Sequence, residues 1–565
     1  MQERHTVKII ALGCLKLSVI FLLILSFLFV YPVGAQEVDE GSAPDSALDS
    51  APAPVFAPVA VVPGQITSVL VTGNRLIGIE EINKAMALLL PYEMEGKGIE
   101  SLSRFTDAIT ALYHGQGYFL GQAYLPEQTI EGGLLNIAVM EGVLGEVVIS
   151  GNAVYPVSFI EGHFKKGNAE VSHQSFERSL LILDDYADLK ASGLFQPGSG
   201  VGSMDLLVNI KDARPLHFTL DYNNFGSRLV SRHRLEQGVE VGNLLRYGSF
   251  LSFRAVLGSP VSNATYGRLI YEVPVNYDGT RVNVRYGQGD FDIGKQLSDL
   301  NITMKTSGWG LSVSHPFIKR RLLTVKGEAG LDAQDFRQDF GIDSARNKED
   351  HTRALQVSAD VDRQTDRARN MGRVVLRQGL GELLGGMANH FDNASREGAD
   401  NGFTKMGIEA ARFQRVTDKL SLIVRGEGQV SSNTLVVGEQ FSLGGPDSVR
   451  GYAVGEYLSD MGYRLNTELR LSPLLDKGLL QAVFFVDAGV GRIQDVLPGK
   501  GEKKEGSLTG TGFGVRVHKD YSVRGKNAGP LGFDVRADVG FPLEDGPGVE
   551  EKAGAVFYFQ ALVRY

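Results

Sequence analysis

From about residue 216 to the end of the 565-residue chain, apolar and polar side chains alternate along short runs that Gly, Asn and Asp separate. The clearest example is the segment of residues 268–286, where Asp278-Gly279 lies between two alternating runs. Asp-Gly in that position is the strongest short-range signal for a β-hairpin. Charged side chains occupy one face of nearly every predicted strand, which suits the wet interior of a membrane barrel and not a dry sandwich core. The alternation therefore predicts a transmembrane β-barrel over residues 216–565.

The length of this region limits the number of strands. A membrane-spanning strand takes about 9–11 residues, and short and long turns alternate in such barrels. Residues 216–565 therefore provide about 14–18 strands at roughly 20–25 residues per strand and loop, and the number is even in a single bacterial chain. The mean hydropathy of −0.06 agrees, because barrels lack the long apolar runs of membrane-spanning helices.

The last predicted strand ends on an aromatic residue at the C-terminus. Its apolar face carries Phe557, Phe559, Ala561, Val563 and Tyr565. The final strand of an outer-membrane barrel closes the ring and is read by the machinery that inserts the barrel. We therefore expect Phe559, Val563 and Tyr565 to form a C-terminal assembly signal, with the barrel assembly machinery as a partner during insertion.

The first 35 residues have the features of a secretory signal peptide. Basic residues precede an uncharged apolar run, and residues 33–35 offer small side chains for cleavage before Gln36. The alternative is an uncleaved membrane anchor, since the uncharged stretch nearly reaches spanning length. Cleavage would remove Cys14, the only cysteine, so the exported protein would have no disulfide and no thiolate. Residues 36–64 follow as an acidic linker rich in Pro and Ala.

Residues 65–215 have the pattern of a soluble α/β region and contain an internal repeat. The segment Val69–Asn74 matches Val147–Asn152, and each is a β-run that ends in Gly-Asn, a dipeptide typical of turns. Two helical patterns and a further strand follow each copy. The repeat predicts two tandem domains, at residues 65–142 and 143–215. The alternative is a chance similarity between two short strands.

Motifs for catalysis are missing from the sequence. It contains no P-loop, no HExxH zinc motif, no GxSxG elbow and no complete GxGxxG, and the ten histidines show no metal-ligand spacing. Residues 198–202 lack the Lys and the following helix of a phosphate loop, which favours a turn between strands. The net charge of −9 argues against a protein that binds nucleic acid by neutralising phosphates. We expect no enzyme activity, no cofactor, no metal and no nucleic-acid partner.

Two segments of the predicted barrel carry distinctive motifs. On their own, residues 438–452 would be interpreted as a Gly-rich surface loop and residues 484–489 as an ordinary strand. The motif residues are Val449, Arg450, Gly451 and Tyr452 in the loop and Phe485, Asp487 and Gly489 in the strand. They resemble the VRG-aromatic and F-x-D-x-G motifs of two-partner secretion transporters, the TpsB family of hemolysin secretion/activation proteins. That family belongs to the superfamily of outer-membrane assembly and transport barrels.

The soluble region supports the same resemblance. Residues 117–142 resemble the first POTRA domain of the family and residues 193–206 resemble the second, so the resemblance extends over about residues 65–565. It implies two periplasmic POTRA domains followed by a 16-stranded β-barrel in the bacterial outer membrane, with outer-membrane lipid around it. We expect the protein to be a monomer.

The resemblance also implies a function. The protein would secrete one large unfolded exoprotein, an adhesin or hemolysin that folds as a β-helix, without hydrolysing a nucleotide. The POTRA domains would bind the exoprotein by strand addition at a sheet edge. Arg450 would fold back into the barrel and pair with Asp487 on a partly wet inner wall, because its planar fork matches a carboxylate. Gly451 and the Gly444-Gly445 pair would permit the reversal at the loop tip.

Two other functions stay open at this point. One is an assembly or insertion factor of the same superfamily, a type that usually carries more POTRA domains. The other is a passive porin, which has no reason to carry a long α/β region. Some members of the family also have an N-terminal helix that plugs the barrel, but the prolines within residues 36–64 argue against one in this chain.

Overall fold

The computed structural model describes residues 59–61, 64–95, 99–164, 172–200, 202–388, 391–472, 479–496, 502–521, 531–547 and 554–565. The predicted signal peptide, and the predicted linker apart from residues 59–61 and 64, lie outside the described residues. The chain divides into two compact units, and the boundary falls between Ala213 and Arg214. None of the described helices is long and apolar enough to cross a membrane.

The first half of the N-terminal unit packs two helices with a three-stranded sheet. Its elements are β1 (Val59–Val61), β2 (Gln65–Ile66), β3 (Ser68–Thr72), α1 (Ile79–Ala87), β4 (Tyr92–Glu93), a 3₁₀ turn (Ile99–Leu102), α2 (Ser103–Gly115), β5 (Gln122–Tyr124), β6 (Gln128–Ile130) and β7 (Leu134–Met140). The sheet has the order β3-β7-β5, with β7 parallel to β3 and antiparallel to β5. Alternate residues of β7, Leu135 and Ile137, share a buried core with Ile82 of α1 and Phe105 of α2.

The second half repeats this arrangement. Its elements are β8 (Val143–Ser150), α3 (Val157–Glu161), α4 (His173–Leu183), β9 (Leu189–Pro197) and β10 (Ser203–Asp212). The sheet has the order β8-β10-β9, and β10 is again parallel to the first strand and antiparallel to the other. A capping box of Ser172 and Ser175 begins α4. Residues 198–200 and 202 connect β9 to β10, which confirms the predicted turn.

A carboxylate near the last strand of each half binds the loop that follows the first strand. Glu141 accepts hydrogen bonds from the amide nitrogen of Leu76, at 2.6 Å, and from the hydroxyl of Tyr113, at 2.9 Å. Burial raises the pKa of Tyr113 well above its usual range, so the hydroxyl stays a donor. Asp212 accepts from the three successive amides of residues 153–155, at 2.7, 2.9 and 2.9 Å. The repeat in the sequence is therefore also a repeat of hydrogen bonding.

The described residues from Leu216 onward form eighteen strands, of which sixteen make one closed antiparallel barrel. In chain order they are β11 (Leu216–Asn223), β12 (Arg234–Gly242), β13 (Phe250–Gly258), β14 (Ala264–Pro274), β15 (Arg281–Ile293), β16 (Ile302–Arg320), β17 (Leu323–Phe340), β18 (Lys348–Gln364), β19 (Ala368–Gly379), β20 (Thr404–Arg415), β21 (Leu420–Ser431), β22 (Phe441–Leu443), β23 (Tyr457–Ser459), β24 (Met461–Leu471), β25 (Leu480–Arg492), β26 (Glu505–Tyr521), β27 (Leu531–Pro542) and β28 (Val556–Arg564). Strands β22 and β23 pair with each other and are not members of the ring. Strand β28 pairs with β11 and closes the ring. The expected barrel of sixteen strands is confirmed. Short 3₁₀ turns occupy Val261–Asn263, Lys295–Leu300, Ser344–Arg346, Leu383–Gly385 and Val437–Glu439.

The barrel carries apolar side chains on its outer face and charged side chains on its inner face, as the alternation predicts. In the hairpin of β14 and β15, Leu269 and Tyr286 are 41% and 49% exposed. On the opposite face of the same hairpin, Arg281 and Glu272 form an ion pair at 2.6 Å. In β28 the side chain of Phe557 is 48% exposed. Exposed apolar faces of this kind contact lipid.

The connections at the two ends of the barrel differ in length. At the end where β11 begins, neighbouring strands are joined by residues 321–322, 365–367 and 416–419. At the other end, residues 380–403 join β19 to β20, and residues 432–460 join β21 to β24. Outer-membrane barrels have short periplasmic turns and long extracellular loops. The long connections therefore start from the extracellular end.

Candidate functional site

Residues 432–460, which we call the lumenal segment, fold back into the barrel. Its strands β22 and β23 form an antiparallel hairpin, and the VRGY motif lies between them. The hairpin is fixed by a cluster that includes Leu443, Val449 and Tyr452, all at most 1% exposed. The tip, residues 444–456 between the two strands, contacts inward-facing side chains of β24 to β27. Gly444 and Gly445, where we expected a chain reversal, have φ values of +94° and +108°.

Arg450 extends from the tip of the lumenal segment to the barrel wall. Its Nε and Nη2 donate to Asp487 Oδ2 and Oδ1 at 2.6 and 2.9 Å, which is the bidentate geometry of a guanidinium and a carboxylate. Its Nη1 donates to Glu468 Oε1 at 2.7 Å and lies 3.6 Å from Asp538 Oδ2. The Phe485 ring centroid lies 3.5 Å from Arg450 Cζ, in a cation–π contact. The structure thus brings Arg450 together with Asp487 and Phe485, and it adds two carboxylates.

The Arg450–Asp487 pair is buried. The Arg450 side chain is 2% exposed and the Asp487 side chain is 0% exposed. The expectation of a partly wet wall is therefore wrong at this point, because the hairpin and its apolar cluster cover the pair. When a buried pair loses one partner, the remaining charge is left uncompensated, at a cost of roughly 3–5 kcal/mol.

Glycines on the wall leave room for the lumenal segment. A Cβ on Gly489, the last residue of the F-x-D-x-G motif, would lie 2.6 Å from a side-chain carbon of β22. A Cβ on Gly510 of β26 would lie 1.9 Å from the carbonyl oxygen of Arg450, and one on Gly540 of β27 would lie 2.5 Å from the amide nitrogen of Gly451. Gly451 has a φ of +104°, a conformation that L side chains rarely adopt. The wall and the tip therefore fit each other backbone against backbone.

Further contacts hold the tip at its other side. Arg536 of β27 donates to the carbonyl oxygen of Pro446 at 2.7 Å and to Asp447 Oδ1 at 3.0 Å. Tyr558 of β28 donates to the carbonyl oxygen of Tyr452 at 2.8 Å. Ion pairs connect Arg536 and Asp447 with the charged residues around Arg450. We call this set the ion-pair network. Its members are Arg450, Arg470, Arg516, Arg536, Asp447, Glu468, Asp487 and Asp538.

The predicted C-terminal signal lies elsewhere. Phe559, Val563 and Tyr565 belong to the seam where β28 pairs with β27 and β11. The amide nitrogen of Tyr565 donates to Phe218 O at 2.8 Å, and Tyr565 O accepts from the Phe218 amide at the same distance. Their role in assembly stays a prediction.

Four charged residues that contact the Arg450 site were not predicted from the sequence, namely Glu468, Asp538, Arg516 and Arg536. Inward-facing charges occur along most of the barrel strands, so nothing in the sequence marked these four. Gly510 offered a weak signal, because a glycine inside a strand often marks the close approach of another backbone. Among the described residues, no group of three His, Cys, Asp or Glu side chains could hold a metal ion.

Comparisons with known proteins agree with this geometry. The profile of the haemolysin secretion/activation protein family ShlB/FhaC/HecB matches residues 202–517. The profile of the ShlB-type POTRA domain matches residues 65–142. The chain belongs to this haemolysin secretion/activation family. It is therefore an outer-membrane transporter of the two-partner secretion type, and its POTRA domains lie in the periplasm.

Relatives of this transporter include the heme/hemopexin transporter protein HuxB of Haemophilus influenzae. The two are 22% identical over 460 residues, which cover 79% of this chain and 80% of HuxB. The outer membrane transporter CdiB of Escherichia coli is 24% identical over 452 residues, which cover 75% of this chain and 72% of CdiB.

Solved structures share the fold of the transporter. CdiB from Escherichia coli matches with a TM-score of 0.73 at 19% identity, over 95% of this chain and 93% of CdiB. CdiB from Acinetobacter baumannii gives 0.66 at 16% identity, over 98% of each chain. BamA from Haemophilus ducreyi lacking POTRA domains 1–3 gives 0.50 at 16% identity, over 89% of this chain and all of that chain.

Proposed function

We propose that this transporter exports one large partner protein through its barrel, and that the lumenal segment leaves the wall while the partner passes. The partner is an adhesin-like or hemolysin-like exoprotein that folds as a β-helix outside the cell. The POTRA domains bind it first. The protein works as a monomer, catalyses no reaction and hydrolyses no nucleotide.

The position of Arg450 is the observation that carries the proposal. A closed barrel of sixteen strands contains a segment that charge pairs hold against the wall, so passage requires that segment to move. Two POTRA-type halves and a family match over residues 202–517 favour secretion over the assembly of other barrels. A passive porin would need neither the halves nor a segment held by buried charges.

Replacing Arg450 or Asp487 with Ala tests the proposal. Each change removes one partner of a buried pair, which weakens the contact between the tip and the barrel wall by roughly 3–5 kcal/mol. That is enough to release a segment held at a few points and too little to open sixteen paired strands. We expect export to fall severely while the barrel stays inserted, because the proposal requires a segment that leaves the wall only while the partner passes and not one that is released permanently. The measurements are partner protein in the medium, barrel in the outer membrane and single-channel conductance.

Arg369→Ala is the matched control, because Arg369 also pairs with a carboxylate but is 52% exposed. Exposed pairs contribute about 0–1 kcal/mol, so this variant should behave like the parent. Arg450→Lys should fail like Arg450→Ala, because an ammonium group cannot make the two parallel bonds. Normal export by both alanine variants would remove the role of the pair. Failure of both to insert would assign it to assembly.

A further inference from the structure

A second buried ion pair joins two long extracellular connections. Residues 380–388 and 391–403, which we call the surface segment, contribute Arg396. Its Nη1 donates to both carboxylate oxygens of Asp460, at 2.8 and 2.9 Å. The Arg396 side chain is 6% exposed and the Asp460 side chain is 0% exposed. The ion pair therefore lies inside a packed contact and not on a solvated surface.

Asp460 is also the point where the two ends of the lumenal segment meet. Asp460 ends the segment, and its Oδ1 accepts from the amide nitrogen of Leu435, near the start, at 3.0 Å. Its Oδ2 accepts from the amide nitrogen of Gln494, in the connection after β25, at 2.8 Å. Arg396 Nη2 donates to the carbonyl oxygen of Asp495 in that same connection, at 2.9 Å. One carboxylate and one guanidinium thus tie three connections together.

Apolar packing surrounds the same joint. Met387, Ala394 and Ala399 of the surface segment form a buried cluster with Val436 of the lumenal segment, and each is at most 1% exposed. An apolar cluster permits several registers of packing, whereas an ion pair in which one guanidinium nitrogen bonds to both carboxylate oxygens fixes one direction and one distance. The ion pair therefore sets where the base of the lumenal segment stands.

We propose that Arg396 and Asp460 form a latch that positions the lumenal segment across the lumen. With the latch closed, the base of the segment is fixed and Arg450 reaches Asp487. With the latch open, the tip is held by its wall contacts alone and detaches more often. Arg396 is a positioning residue, since its hydrogen bonds go to Asp460 and Asp495 and not to the wall at Arg450. This inference rests on the proposed function of the lumenal segment.

The test records single-channel currents of the purified full-length transporter in planar lipid bilayers, without any partner protein. For Arg396→Ala we expect the ratio of open to closed time to rise about tenfold or more, because loss of one partner of a buried pair shifts an equilibrium by at least that factor. Arg492→Ala is the matched control. Arg492 ends β25 at the same end of the barrel, is 48% exposed and lies 4.0 Å from Glu505, so its loss should change nothing.

Arg396→Lys distinguishes positioning from mere bulk. Lysine can bind Asp460 but cannot also reach the Asp495 carbonyl oxygen, so it should restore the closed state in part. A ratio for Arg396→Ala equal to that of Arg492→Ala would overturn the latch. Should Arg396→Ala not insert, Asp460→Asn keeps the volume and removes the charge, and it should raise the ratio likewise. Failure of both to insert would assign the pair to folding and overturn the latch as well.

The two proposals can fail separately. The currents are recorded without a partner protein, so they do not depend on export. If Arg450→Ala exports normally while Arg396→Ala opens the channel, the proposed function is wrong. The latch would then still keep the channel closed. If Arg450→Ala abolishes export while Arg396→Ala conducts like the parent, only the latch is wrong.

Discussion

Gly510 offers a way to displace the Arg450 tip without changing any charge. A Cβ at this position would lie 1.9 Å from the carbonyl oxygen of Arg450, an atom of the backbone that no side-chain rotation can move aside. To reach the ordinary van der Waals distance of 3.4 Å, the oxygen must retreat by about 1.5 Å. Gly510→Ala therefore disturbs the contact between the tip and the wall by steric overlap alone.

The magnitude follows from the bonds that this displacement stretches. The two Arg450–Asp487 bonds of 2.6 and 2.9 Å would exceed hydrogen-bonding distance if the guanidinium followed the backbone. Hydrogen bonds to charged groups contribute about 1.5–3 kcal/mol each, and forcing extra volume into a packed site costs about 1–3 kcal/mol. A net loss of about 3 kcal/mol corresponds to a change of roughly a hundredfold in the ratio of seated to unseated tip.

The assay compares Gly510→Ala with Gly407→Ala. Gly407 lies in β20, and a Cβ there would meet no atom within 4 Å. Both variants gain the same intrinsic preference of Ala over Gly in a strand. We expect Gly510→Ala to lengthen channel openings and to lower export toward the level of Arg450→Ala, with normal amounts of inserted barrel. Equal conductance and equal export for the two variants would refute the argument that Gly510 leaves the space in which the tip binds the wall.

Two further predictions concern the ends of the protein. Deleting Tyr565, or replacing it with Lys, should lower the amount of inserted barrel more than the export per inserted molecule. The deletion removes the two backbone hydrogen bonds to Phe218, and a lipid-facing Lys costs up to about 2–4 kcal/mol at the bilayer midplane and less near the interface. Unchanged barrel amounts in the outer membrane would contradict this. Residues 65–215 alone should be soluble and unfold cooperatively in urea, and Asp212→Ala should lower their free energy of unfolding by about 1–3 kcal/mol, since three amides lose their acceptor. An aggregating fragment would count against the predicted domain boundaries.

The hairpin of residues 268–286 shows why the barrel could be predicted from the sequence. Its evidence is local: alternation along two strands and an Asp278-Gly279 turn between them. Repeated over residues 216–565, such patterns determine the fold class and nearly the number of strands. The pairing of Arg450 with Asp487 is different, because it followed from a resemblance to known motifs and not from any local pattern.

The remaining contacts could not be predicted because they depend on how the long connections fold. Glu468 and Arg396 are ordinary charged residues in the sequence, and their partners lie in other connections and strands. Glycine within a strand is no clearer a signal. A Cβ on Gly510 would overlap the Arg450 backbone, whereas a Cβ on Gly407 would meet no atom within 4 Å. The burial of Arg450 was missed for the same reason, because it requires the hairpin of β22 and β23 to cover the wall.

Charge in the ion-pair network is balanced separately on the lumenal segment and on the wall. The segment contributes Arg450 and Asp447, one charge of each sign. The wall contributes three arginines and three carboxylates, namely Arg470, Arg516, Arg536, Glu468, Asp487 and Asp538. When the tip and the wall separate, neither side of this network is left with a net charge.

This balance suits a contact that has to open. An apolar seat would lose about 25 cal/mol for each Å² exposed to water, and it would not specify the direction of docking. After Arg450 leaves, Glu468 still pairs with Arg470 at 2.8 Å, and Asp538 still pairs with Arg516 and Arg536 at 2.5 and 2.8 Å. Among the described ion pairs, Asp487 bonds to Arg450 only, so within the network the cost of releasing the tip falls mainly on one carboxylate that the lumen can hydrate. The closed state is thereby held in a single geometry, and the open state leaves most of the wall charges paired.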